Sequence, residues 1–151
     1  MKDKALEVMK MYRRKVFYYE TDQMGIVHHS NYIRWFEEAR IDYMEQLGLG
    51  YDKMEEQGII SPVLSVEASY LRMLHFGDSV KIEAWVKEYN GIKLTVGYEI
   101  VSERTDKVHC RGVSRHCFLE RTGRPLALKQ SCPEFHGLFM KALEAHKKAK
   151  K

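Results

Sequence analysis

The residues best equipped for chemistry lie close together in this chain. They are Asp22, Gly25, His28 and His29, directly ahead of the aromatic and charged run Asn31 to Arg40. A carboxylate can attack as a nucleophile or serve as the base that activates water. Gly25 permits a tight or left-handed turn and lets a ligand approach the backbone closely. His29 stands seven residues after Asp22, where a helix is expected to open. A helix N-terminus offers unpaired N–H groups and partial positive charge, which suit an oxygen that gathers negative charge during acyl transfer. Both residues also have purely structural uses, Asp22 as the cap of a turn and His29 as a helix-start residue contributing only its backbone.

Other constellations fail on spacing. His28 and His29 are adjacent, too close for two ligands from one helix face, and no carboxylate or cysteine stands at helical spacing to complete a zinc site. His116 and Cys117 are neighbours on an expected strand, so their side chains point to opposite faces. The chain has no Gly-x-Ser-x-Gly elbow and no glycine-rich phosphate loop. Met73 and the other methionines read as core filler. Neither a metal nor a bound cofactor is required.

The elements that must position these residues follow from periodicity. Tyr32, Trp35, Phe36, Ala39, Tyr43 and Leu47 recur at helical steps, with Arg34, Glu37, Glu38, Asp42 and Glu45 opposite. They predict a helix over 31–47, about 25 Å long, with Ser30 as N-cap and Gly48 as its stop. Ahead of it, Tyr12 to Tyr19 reads as a strand ending near Thr21. Behind it, Tyr51 to Ser61 reads as a mobile connection. The period then becomes two. Leu64, Val66, Ala68 and Tyr70 share one face, as do Val80, Ile82, Ala84 and Val86, and then Leu94, Val96, Tyr98 and Ile100. Asn90-Gly91 marks a hairpin and Thr105-Asp106 a turn. Val108 to Leu119 reads as a long final strand closed by Arg121-Thr122-Gly123-Arg124-Pro125. Pro133 to Lys150 reads as a C-terminal helix with Phe135, Leu138, Phe139, Ala142 and Leu143 as its stripe. One strand, a long helix and four further strands predict an α+β fold, an antiparallel sheet covering the helix.

The 151 residues predict a single domain, 1–151, with 44% hydrophobic and 30% charged content. No apolar run approaches the roughly 20 residues of a membrane span. The start, Met1 to Leu6, lacks an apolar signal core. Cys110, Cys117 and Cys132 lack ligand spacing and read as free thiols of a reducing compartment, so the expected location is cytoplasmic. The formal charge of +4 owes much to the tail His146 to Lys151, a solvated end. Nucleic-acid binding is not expected, because no basic face interleaved with aromatics is present.

The run Tyr18-Tyr19-Glu20-Thr21-Asp22-Gln23-Met24-Gly25-Ile26-Val27-His28-His29-Ser30-Asn31-Tyr32, continuing through Ile33-Arg34-Trp35-Phe36-Glu37-Glu38-Ala39-Arg40, resembles the signature of hot-dog-fold acyl-CoA thioesterases. The branch is that of 4-hydroxybenzoyl-CoA thioesterase. Tyr70 to Asp78 resembles the segment before the family's longest hairpin, with Met73 where proline is common. Arg115 to Leu119 and Gly123-Arg124-Pro125 resemble its final strand and turn, so about residues 12–130 are covered. The resemblance implies an antiparallel sheet wrapped around a long central helix. It also implies Asp22 as catalytic carboxylate, His29 as oxyanion donor through its backbone N–H with help from its ring, and a catalytic tyrosine at Tyr18. The chain is one residue shorter than the usual spacing, which leaves Tyr18 and Tyr19 as alternatives. Gly25, Ile26, Val27 and Tyr32 are implied against the substrate, an acyl-CoA. A homo-oligomer, dimer or tetramer, with sites at the subunit boundary is implied too. An acyl-carrier-protein thioesterase, a silent acyl-CoA-binding domain and a hot-dog hydratase are the alternatives. Retention of Asp22 disfavours a silent binder.

Overall fold

A computed structural model describes residues 10–149. The calls on Met1 to Leu6 and on Lys150 and Lys151 lie outside the described residues. The long helix of the apolar stripe, α1 (His29–Leu47), is the centre of the molecule. It turns Tyr32, Trp35, Phe36, Ala39 and Tyr43 inward onto a sheet of five antiparallel strands. These are β1 (Tyr12–Lys15), β3 (Val63–Tyr70), β4 (Ser79–Tyr89), β5 (Lys93–Ser102) and β6 (Val108–Cys117), in the order β1-β4-β5-β6-β3. The fold is α+β, as the period switch predicts.

Close approach of helix to sheet depends on Gly112 of β6. A Cβ there would sit 2.3 Å from the Phe36 ring. Its absence lets Phe36 stack on Tyr98 of β5 at 4.5 Å. Complete burial of rings such as Phe36 and Trp35 contributes about 2–3 kcal/mol each. Gly48 ends α1 in the left-handed conformation at φ 85°.

Several expectations change against the structure. The first strand stops at Lys15, and Tyr18–Glu20 forms a 3₁₀ turn instead of extending the strand to Tyr19. The Glu20 carboxylate turns back to accept the Phe17 N–H at 2.8 Å, which bends the chain. The segment expected as a mobile connection folds into α2 (Tyr51–Glu56) and β2 (Ile59–Ile60), because Met54 and Ile59 are buried in the core. The long final strand breaks at Phe118, which drops into the core beside Phe139. The chain continues as β7 (Leu119–Glu120), paired with β2. The turn after β4 is centred one residue later than Asn90-Gly91, because the Asn90 side chain accepts the N–H groups of Ile92 and Lys93. Leu64 and Tyr70 are exposed although Val66 and Ala68 are half-buried: β3 is an edge strand with a register shift between Val63 and Ser65.

After the short α3 (Leu128–Ser131), the C-terminal helix α4 (Pro133–Ala149) forms as expected and packs against β4. Phe139 stacks on Tyr89 at 4.9 Å, and His146 stacks on Trp85 at 5.1 Å.

Candidate active site

Asp22 sits in a short loop whose ends are drawn together by antiparallel pairing of Thr21 with Val27. The Asp22 N–H donates to the Ile26 carbonyl at 2.9 Å, and the Gly25 N–H donates to the Asp22 carbonyl at 3.0 Å. Gly25 adopts φ 79°, which any other residue would find strained although nothing stands within 4 Å of its missing Cβ. The Asp22 carboxylate accepts the Met24 N–H through Oδ1 at 2.8 Å, so the turn-capping use is realised. Oδ2 has no partner among the described residues.

The loop is bound on both sides. Ile26 pairs with His75, and the Val27 N–H donates to the Leu74 carbonyl at 2.9 Å. Ile26 is half-buried, whereas Val27 and Tyr32 are buried in the core. Burial pushes the Tyr32 phenol well above its ordinary pKa, so it stays a neutral hydroxyl.

The N-cap of α1 is His28, not Ser30. Its Nδ1 accepts the Ser30 N–H at 3.2 Å and lies 2.9 Å from the Ser30 hydroxyl. An imidazole nitrogen thereby takes the place of the serine oxygen that the residue order suggests. The His29 N–H, first in the helix, has no acceptor among the described residues, as expected of the opening turn. The His28 and His29 rings stack at 4.3 Å. Tyr70 closes this corner: its ring lies 5.2 Å from Tyr32, and its hydroxyl donates to the His29 carbonyl at 3.4 Å.

Neither Tyr18 nor Tyr19 is a core aromatic; they are 76% and 78% exposed. Tyr18 meets Phe76 edge-on at 5.5 Å, and Tyr19 tilts against Phe17 at 5.7 Å.

Two contributors were not singled out from the sequence. Tyr70 stood in a quoted segment without a role. Glu20 stood inside the signature, and its only sequence-level signal is a carboxylate between aromatics at the end of a strand. It is 4% exposed and the one buried acid among the described residues. Among those residues no cluster of His, Cys, Asp and Glu could hold a metal ion.

Two clefts lie along the elements that carry or follow these residues, although none of Asp22, His29, Tyr32 and Tyr70 lines either. One, of about 140 Å³, runs between α1 and β3 and is lined by Ile33, Phe36, Arg40, Val63, Val66 and Ser114 among others. The second, of about 520 Å³, lies just past Tyr70 and is lined by Leu71, Arg72, Lys107, Val108 and Arg111.

A five-stranded antiparallel sheet packed on one long central helix is the arrangement of the hot-dog class. Residues 16–145 match the family model of the thioesterase-like superfamily, and the chain belongs to that family. By class it is a thioester hydrolase. Among its relatives is a putative acyl-CoA thioesterase of Bacillus subtilis, 36% identical over 129 residues that cover 85% of this chain and 93% of the relative. The solved DHNA-CoA thioesterase of Staphylococcus aureus superposes with a TM-score of 0.85 at 33% identity, covering 94% of this chain and 95% of that one. A hypothetical protein of Aquifex aeolicus gives a TM-score of 0.78 at 31% identity, covering 85% and 98%. No helix among the described residues is long and apolar enough to cross a membrane.

Proposed function

We propose that this chain hydrolyses an acyl-CoA thioester to a free carboxylic acid and coenzyme A. Asp22 is the nucleophile or the general base, and the His29 N–H is the oxyanion donor. The observation that carries the assignment is the Thr21–Val27 pairing, which ties the loop bearing Asp22 to the residues that open α1. The B. subtilis relative, whose name is that of an acyl-CoA thioesterase, supports the substrate class.

In the proposed reaction either the Asp22 carboxylate adds to the thioester carbonyl carbon, or it takes a proton from the water that does so. The carbonyl oxygen gains negative charge and accepts the His29 N–H, where the helix N-terminus adds partial positive charge. The C–S bond then breaks. On the general-base route the thiolate takes the proton that Asp22 removed from water. On the nucleophilic route water cleaves the acyl–Asp22 anhydride left behind, regenerates the carboxylate and supplies that proton. Either route consumes one water and leaves a carboxylic acid. Gly25 and Ile26 line the approach with backbone, Val27 and Tyr32 form the wall behind it, and Tyr18 stands at the mouth. The cleft between α1 and β3 suits the acyl group, and the basic cleft past Tyr70 suits the phosphates of coenzyme A.

The same proposal includes a homo-oligomer. Val63 and Leu64 on the free edge of β3, together with Leu71, Met73, Phe76 and Tyr18 around the site, are exposed apolar groups. An uncovered edge of this kind is a pairing hazard, and a second copy joined across a two-fold axis would cover it and enclose the substrate. Three free cysteines fit work in the cytoplasm.

The test is thiol release from a panel of acyl-CoA and acyl-carrier-protein substrates, with Asp22→Asn as the control. The substitution is isosteric and should lower kcat by roughly 10²–10⁴-fold with the fold intact. A folded Asp22→Asn protein with near-normal kcat overturns the assignment. Turnover of carrier-protein substrates alone moves the proposal to that class.

A further inference from the structure

The acid that caps the turn and the helix that offers its N–H groups lie on different segments, and one buried residue joins them. Glu20 accepts the Arg14 guanidinium at 2.9 Å and the Trp35 indole N–H at 2.8 Å, both on Oε2. Its Oε1 accepts the Phe17 N–H at 2.8 Å. Its main-chain carbonyl accepts the His28 N–H at 2.9 Å and the buried Asn31 side-chain amide at 2.8 Å. These five bonds fasten β1, the 3₁₀ turn, the residue before the helix and two turns of α1 to one side chain and one peptide.

Arg14 is itself held. Its guanidinium lies 4.5 Å from the Trp35 ring centroid and 4.9 Å from that of Phe17, and its Nε is 3.3 Å from the Glu38 carboxylate. The Arg14 and Glu20 side chains are only 7% and 5% exposed. A buried ion pair of this sort adds little net stability over an apolar replacement, yet it fixes geometry tightly once formed. Asp22 follows Glu20 by two residues, and His29 follows His28 by one. Each of the two chemical groups is therefore within two residues of an atom that Glu20 holds.

We propose that Glu20 is a positioning residue for thioester hydrolysis: its buried carboxylate and carbonyl set the separation between Asp22 and the His29 N–H. The inference rests on the proposed roles of those two residues. Displacement of about 1 Å in such a pair can cost on the order of 10²-fold in rate. Loss of the clamp should therefore appear in kcat rather than in KM, because Glu20 is buried away from any bound substrate.

The test uses the full chain with an acyl-CoA that the wild type turns over. Glu20→Asp keeps the charge and withdraws it by one methylene. Trp35→Phe removes a single donor and keeps an aromatic ring in the core. Both are assayed well below their melting midpoints, with Asp22→Asn alongside. Expected are a kcat loss on the order of 10–10²-fold for Glu20→Asp and several-fold for Trp35→Phe, with KM within about twofold in each. A folded Glu20→Asp with a lowered melting midpoint but unchanged kcat overturns the proposal and leaves Glu20 a structural residue. Parallel rises in KM overturn it too. Should Glu20→Asp fail to fold, Trp35→Phe decides alone, and an unchanged kcat there has the same meaning. Near-normal turnover by Asp22→Asn beside a crippled Glu20→Asp instead overturns the role of Asp22, and with it the proposal that Glu20 sets the separation between Asp22 and the His29 N–H.

Discussion

Acidification from pH 7 to pH 5 should destabilise this protein through one buried imidazole. His116 of β6 is 1% exposed, and its Nε2 lies 2.7 Å from the Ser114 hydroxyl. That hydroxyl meets the Tyr98 hydroxyl at 2.7 Å, which accepts the Arg40 guanidinium at 3.0 Å. Burial first, and the Arg40 charge second, push the His116 pKa down from 6.5 to about 4. The unfolded chain then takes up a proton near pH 6.5, and the folded chain only near pH 4. Between those values the unfolded state binds more protons, so stability is full above pH 6.5 and falls as pH drops through the window. At about 1.36 kcal/mol per pH unit the whole window is worth roughly 3 kcal/mol, of which about 2 kcal/mol is lost by pH 5.

That is a large fraction of a total near 5–15 kcal/mol, and it corresponds to roughly 4–8 °C in melting midpoint. Urea unfolding of the wild type and of His116→Leu at pH 7 and pH 5, at one protein concentration, isolates the effect. His116→Leu strips Ser114 of a partner and lowers stability at both pH values, so the comparison is between the two pH-dependent losses. The wild type should lose about 2 kcal/mol more than the variant. Equal losses in the two proteins refute the account of His116.

Four further outcomes follow from the site. His29→Ala keeps its backbone donor, so a kcat within about 10-fold of wild type assigns the chemistry to the N–H, and a larger loss assigns it also to the ring. His28→Ala removes the N-cap and should cost about 1 kcal/mol in stability; a large kcat loss there with none in His29→Ala moves the site to the other histidine. Light scattering at micromolar concentration should report a dimer or tetramer, and a fully active monomer near 17.8 kDa overturns that expectation. Arg72→Ala should raise KM several-fold for an acyl-CoA and leave KM for the matching acyl-pantetheine unchanged; equal effects on both substrates exclude a phosphate contact.

The long helix, its Gly48 stop, the three later strands and the C-terminal helix were legible because each rests on a local pattern that the core rewards. Val80, Ile82 and Val86 of β4 are buried, and all four inward residues named on β5 are buried. The failures occur where a distant contact, or a neighbouring side chain competing for a backbone N–H, overrules the local pattern. Nothing near Tyr18 announces that Glu20 will fold back on Phe17 and meet Trp35 fifteen residues on. Ser30 is the better N-cap by residue type, yet the His28 ring reaches the Ser30 N–H first and also stacks on His29. The segment 51–61 gains its order from the Arg40 guanidinium, which donates to the Tyr51 hydroxyl at 2.9 Å, and from pairing with β7. Partners so far apart in the chain leave no mark on periodicity.

The structural use of Asp22 and its proposed chemical use support one another. Oδ1 is held by the Met24 N–H, which fixes the plane of the carboxylate, while Oδ2 is without a partner among the described residues. A carboxylate free to rotate would surrender much of the advantage of proximity each time it attacked or accepted a proton. The φ 79° of Gly25 is what allows the turn to close beneath it, and the Thr21–Val27 pairing prevents that turn from drifting away from α1. On the proposed mechanism the capping bond is therefore part of the catalytic apparatus. Gly25→Ala tests this link without touching any reacting atom: the added methyl meets no neighbour within the protein. A fall in kcat with KM unchanged would therefore come from the strained backbone moving Asp22, and a rise in KM from the methyl meeting the substrate on its approach. An unchanged kcat would show that the turn does not set the position of Asp22.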